Sequence, residues 1–132
     1  MNFKAFSQKF ADTIGGKYND YDDDHSIFII PIKNDRFQTV IARLVRIDNQ
    51  DAEVVHITSK VCEVSESIDY PAILEASADF KLSSFIVEDG FLKVDSAILL
   101  KSVDEAFIEQ AIVELANLAD EWELKITGKD IY

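Results

Sequence analysis

A chain of 132 residues that is 48% apolar, with only 4 Gly and 2 Pro, can bury one core without disulfide or metal support, and its composition is globular. A net charge of −12, from 25 acids against 13 bases, repels phosphate backbones and anionic lipid, so the expected partner is protein, with no nucleic acid and no membrane. The longest apolar run, residues 27–32, is far shorter than the ~20 residues of a membrane-spanning helix. Residues 1–7 lack the apolar stretch of a signal peptide, and a lone Cys62 cannot close an internal disulfide, so a cytoplasmic setting is expected.

Phe3, Phe6, Phe10 and Ile14 recur at helical spacing and form one apolar stripe, which Gly15-Gly16 ends because glycine takes the left-handed conformation readily. The polar, acidic residues 17–24 read as a connector or a short edge strand. Residues 25–32 and 37–47 are rich in Ile, Val and Phe and predict strands, separated by a turn at Lys33-Asn34-Asp35-Arg36. A second turn at residues 48–51 leads to a strand over 53–62, where Val55, Ile57 and Val61 alternate with His56, Thr58 and Lys60. Asp69 before Tyr70-Pro71 predicts the cap of a short helix carrying Ile73, Leu74, Ser77 and Phe80. Strands over 82–88 and 91–100 flank Asp89-Gly90, a two-residue hairpin signal. Ser102-Val103-Asp104-Glu105 has the form of a capping box, and the helix behind it presents Phe107, Ala111, Leu115, Ala119, Trp122 and Ile126, ending at Gly128. The expected fold is one α+β domain over residues 1–132: helix, three-strand antiparallel meander, helix, β-hairpin, C-terminal helix.

Chemistry-bearing residues are few. His25 and His56 show no metal-ligand spacing and are expected to be exposed. Cys62 lies about 20 Å along the strand from His56, too far for a nucleophile–base pair. Asp20, Asp22 and Asp24 have the spacing of the first half of a calcium loop, but His25 replaces its glycine and Pro31 its glutamate. No phosphate-binding glycine loop or nucleophile elbow is present. No catalytic residue, metal or cofactor is therefore expected. The alternatives are a cation- or small-molecule-responsive regulator using the three aspartates, or a small enzyme assembled from scattered residues.

Two features point to association. Val40, Ala42 and Leu44 alternate with Ile41, Val45 and Ile47, so one strand is apolar on both faces, as is the run 27–32. An antiparallel sheet with one wet face alternates instead, and surplus apolar surface marks interaction sites. Ile41, Arg43, Val45 and Ile47 are accordingly the candidate protein-binding or dimer surface. The last helix holds seven acids between Asp104 and Glu123 and no base; either Arg36, Arg43 or Lys60 from the sheet offsets them or that face awaits a basic partner.

Residues 35–40 (Asp-Arg-Phe-Gln-Thr-Val), 56–61 (His-Ile-Thr-Ser-Lys-Val), 71–77 (Pro-Ala-Ile-Leu-Glu-Ala-Ser), 116–123 (Ala-Asn-Leu-Ala-Asp-Glu-Trp-Glu) and 127–132 (Thr-Gly-Lys-Asp-Ile-Tyr) carry a resemblance. In these, and in its order of elements, the chain resembles type III secretion chaperones, and more particularly the YbjN-like relatives of that superfamily. The resemblance implies a non-enzymatic homodimer that holds extended client segments or acts in regulation, with no catalytic residues to place.

Overall fold

The computed structural model describes residues 2–20, 22, 24–47 and 52–128. The stripe of phenylalanines opens the chain as helix α1 (Phe3–Ile14), capped at its start by Asn2, whose side chain accepts from the Ala5 N–H. Gly15, with φ of 71°, closes it in the left-handed conformation. Four strands follow: β1 (Lys17–Asp20), β2 (His25–Pro31), β3 (Phe37–Arg46) and β4 (Glu53–Glu63). Helix α2 (Tyr70–Ala76) runs into a 3-10 turn, Ser77–Asp79, before β5 (Ser84–Glu88) and β6 (Phe91–Leu99). A second 3-10 turn, Leu100–Ser102, leads into the long helix α3 (Glu105–Thr127).

The protein is α+β, with three α-helices and one six-stranded antiparallel sheet in the order β1-β2-β3-β4-β6-β5. Six strands replace the five expected. The extra one is the polar stretch 17–20, which pairs with β2 as an edge because Tyr18 lays its ring on Phe28 (5.3 Å between centroids) and Lys4 neutralises Asp20 at 3.1 Å. The turn at 33–36 forms with Asn34 and Asp35 at φ of 62° and 60°. Asp89 and Gly90, at φ of 55° and 80°, make the tight β5–β6 turn that the sequence signals. The turn expected at 48–51 and the closing residues 129–132 lie outside the described residues.

One face of the sheet carries the core. Phe28, Ile30, Val40, Ala42, Val55, Ile57, Val94 and Ile98 are buried there against α1 and α3. Phe28 packs edge-on to Phe3 and Phe10, so the first helix is held by aromatic contacts. Gln38, fully buried on that face, donates to Ser59 Oγ and the Lys60 carbonyl, and Ser59 Oγ donates to the Thr39 carbonyl. These bonds satisfy the Gln38 amide nitrogen and the Ser59 hydroxyl inside the core, while Gln38 Oε1 has no hydrogen-bond partner among the described residues.

Several expectations about the helices need correction. Asp104, not Ser102, caps α3, its carboxylate accepting from the Phe107 N–H, because Ser102 is drawn into the preceding 3-10 turn. The buried stripe of α3 is Ile108, Ala111, Ile112, Leu115, Ala116 and Ala119, with Phe107, Trp122 and Ile126 on its flank. The acids of α3 are partly offset: Arg36 grips buried Asp120 with three bonds of 2.8 to 3.2 Å, Glu114 accepts from the Leu82 N–H, and Lys125 pairs with Glu121. On α2, Asp69 caps as expected and Ile73 is buried, but Leu74 points outward and is 57% exposed. No helix among the described residues is long and apolar enough to cross a membrane.

Candidate functional site: the bare face of the sheet

Both long helices lie on one side, and among the described residues no helix covers the other. The strands alternate: β3 buries Gln38, Val40 and Ala42 while Phe37, Ile41 and Val45 are 50%, 36% and 37% exposed. Arg43, between Ile41 and Val45 on that face, is exposed too. Ile47, the fourth residue expected on this surface, lies past the end of β3 and is half-buried, its N–H donating to the Ala52 carbonyl. Ile27 and Ile29 of β2 reach the same face, half-buried, while Ser26, Phe28 and Ile30 point into the core.

Strand register arranges this face in rows. Val45, Val54 and Leu99 form an apolar row. His25, Arg43, His56 and Ala97 form the next. Ile27, Ile41, Thr58, Asp95 and Ser84 cross the middle, and Lys60, Lys93 and Ile86 lie beyond. Neighbours along a row stand about 5 Å apart at Cβ, within reach of side-chain bonding. The face is therefore a mosaic of aliphatic rows and a band of bases.

The band has its own bonding. His25 Nδ1 meets Asp22 Oδ1 at 2.9 Å, and that carboxylate also accepts from the backbone N–H of Asp24 and of His25. These bonds, chiefly the one to His25, hold the Asp22 carboxyl below the usual carboxylate range. His56 Nε2 meets Asp95 Oδ2 at 2.7 Å, while Ser84 Oγ donates to the other Asp95 oxygen. Lys93 Nζ donates to Glu88 at 2.9 Å and keeps the Glu88 carboxyl low. Arg43 makes no hydrogen bond or ion pair among the described residues. Around it opens a depression of about 230 Å³, floored by Ile41 and walled by both histidines, Thr58, Lys93 and the β5–β6 turn.

The sequence treats His25 and His56 as separate exposed side chains; the fold sets them on either side of Arg43, each half-buried and each bonded to a carboxylate. Lys93, Asp95 and Glu88 are site residues that the reading of the hairpin missed. Lys93 and Asp95 alternate with Leu92, Val94 and Ser96, so their shared face was legible, but not what they would meet.

Cys62 is held apart. A register shift between Lys60 and Cys62 turns its side chain to the helix side, where burial and then the nearby Glu123 carboxylate push the thiol up. Asp20, Asp22 and Asp24 do not gather: Asp20 belongs to Lys4 and Asp22 to His25, and no cluster of metal-ligating side chains occurs among the described residues.

No family model and no curated protein matches the chain.

Proposed function

We propose that the protein is a non-enzymatic protein-binding module that pairs with a second copy of itself through the bare sheet face, in the manner of a chaperone-like or regulatory homodimer. The observation that carries this reading is the exposure of Phe37, Ile41 and Val45 on a face that the protomer's own helices leave open. Large apolar side chains exposed in register on one uncovered sheet face are a common mark of an association surface.

Area and charge both favour a second copy as the occupant. Strands spaced about 4.8 Å apart and rows spaced about 6.7 Å apart give the face roughly 700 Å². Two such faces would bury about 1,400 Å², inside the range of a specific interface. Within a chain of net charge −12 this face has four bases, Lys17, Arg43, Lys60 and Lys93, against three acids, Glu63, Glu88 and Asp95. It is where two acidic copies meet with least repulsion, and raising the salt should strengthen the pairing by screening the remaining charge. The resemblance of the element order and of the segments 35–40, 56–61, 71–77, 116–123 and 127–132 to secretion chaperones and their YbjN-like relatives supports the same class.

Sedimentation velocity over a concentration series tests it. The native chain should move from monomer to dimer, and Ile41→Glu with Val45→Glu should stay monomeric while keeping the native far-ultraviolet circular dichroism and cooperative melting, with the melting temperature lowered by the lost association. A native chain that remains monomeric to its solubility limit would remove the proposal.

A further inference from the structure

We infer that the depression around Arg43 is a binding site for a single carboxylate group. This goes beyond self-association, because the ligand differs and the site is complete within one protomer.

Strand register sets His25, Arg43 and His56 side by side in one row. Like charges directly opposite one another across strands are destabilising, and here two of the three bases are matched internally: His25 by Asp22 and His56 by Asp95. Lys93, one row away from the middle, is likewise matched by Glu88. Arg43 stands between matched pairs with no hydrogen bond or ion pair among the described residues, lines the 230 Å³ space, and helps hold the nearby Glu88 carboxyl low. A guanidinium offers parallel N–H donors that fit the two oxygens of a carboxylate. Thr58, beside it on the same face and half-buried, has a hydroxyl with no bond among the described residues. The Asp95 bond at Nε2 orients the His56 ring and leaves Nδ1 without a partner there as well. The apolar floor, Ile41, suits the carbon end of such a ligand.

Charge selects the class of anion. The groups facing the depression or bonded to its walls are Arg43 and Lys93 against Asp22, Asp95, Glu88 and Asp89. These carboxylates outnumber the two fixed cations, so a monoanion held by directed bonds to Arg43 is favoured over a phosphate dianion near neutral pH, which meets surplus carboxylate.

The experiment is an NMR titration of the full chain at a concentration where light scattering reports monomer, observing the Arg43 Nε–H and the histidine rings. One arm uses acetate. A second uses an N-acetylated, C-amidated alanine peptide with one central aspartate, which separates a free acid from a side-chain carboxylate. Controls use chloride and phosphate at matched ionic strength. Near pH 7.5, saturable shifts are expected with acetate or the peptide and markedly weaker ones with phosphate. They should be abolished in Arg43→Gln and weakened in Arg43→Lys, which keeps the charge but loses the fork. Chloride matching the carboxylates, Arg43→Lys binding like the native chain, or no saturation in either arm would overturn the site. None of these outcomes depends on dimer formation, so its failure and that of self-association can be told apart.

Discussion

The two faces of the sheet are made from the same strands and differ in what they are asked to do. The helix-side face is mainly apolar where it meets α1 and α3, with Gln38, Ser59, Ser26 and Ser96 buried among the aliphatic side chains and Gln38 and Ser59 bonded to one another and to backbone. The bare face mixes Ile27, Ile29, Ile41 and Val45 with His25, Arg43, His56 and Lys93, and most of its charges pair locally. A face meant only for water has no need of the isoleucines, and one meant only for a core could not tolerate Arg43. Under the proposed self-association the aliphatic residues would supply contact area and the polar groups would fix register.

This contrast can be broken by mutation. The largest effect belongs to the covered face: Phe28→Ala, which empties a site packed by Phe3, Phe10 and Tyr18, should cost about 3–5 kcal/mol in urea unfolding. Ile41→Ala, across the same β2–β3 pair but on the bare face, should cost about 1 kcal/mol or less in the monomer. Equal losses at the two positions would mean that the bare face is covered in solution by the protomer itself.

Next comes the tie between the β2–β3 turn and α3. Asp120→Ala leaves the Arg36 guanidinium without its bidentate partner. Because Arg36 keeps a quarter of its side chain in contact with water, the loss should be about 2–3 kcal/mol, at or below the low end for buried pairs. Chemical denaturation of Asp120→Ala and of the double variant with Arg36→Ala measures the coupling, and additive losses would show the pair to be inert.

The smallest effect lies on the bare face. Glu88 has its carboxyl lowered by Lys93 in the folded state, so its contribution is present above the ordinary carboxylate range and is lost as pH falls through the lower, folded value. Thermal melts from neutral to acid pH should show Glu88→Gln with a slightly flatter acid limb. The change is small because the Glu88 side chain is almost half exposed. A steeper limb in the variant would reverse the sign and contradict the assignment.

Local signals made much of this fold legible. The three- and four-residue spacing of Phe3, Phe6, Phe10 and Ile14 gives α1 to the residue, and Asp89-Gly90 marks the hairpin turn. The alternation in β4 separates Val55 and Ile57 from His56 and Thr58 correctly. Periodicity could not say which side of β2 and β3 would be bare, because both sides are apolar; that is decided by where α1 packs on β2 and α3 on β3. Register was equally out of reach, so the row His25, Arg43, His56 was invisible although each residue had been noticed. The register shift at Lys60 and Cys62 reverses the side-chain parity that counting along the strand predicts. Asp120 and Arg36, 84 positions apart, meet only through the tertiary fold.

The most direct test of the bare face is methyl NMR with a soluble paramagnetic probe, following Ile41 and Val45 against buried Ile57 as protein concentration rises. The account predicts that Ile41 and Val45 broaden strongly in dilute protein and are progressively shielded at higher concentration, while Ile57 stays sharp throughout. Full accessibility of Ile41 and Val45 at every concentration, or shielding already complete in dilute monomer, would contradict it.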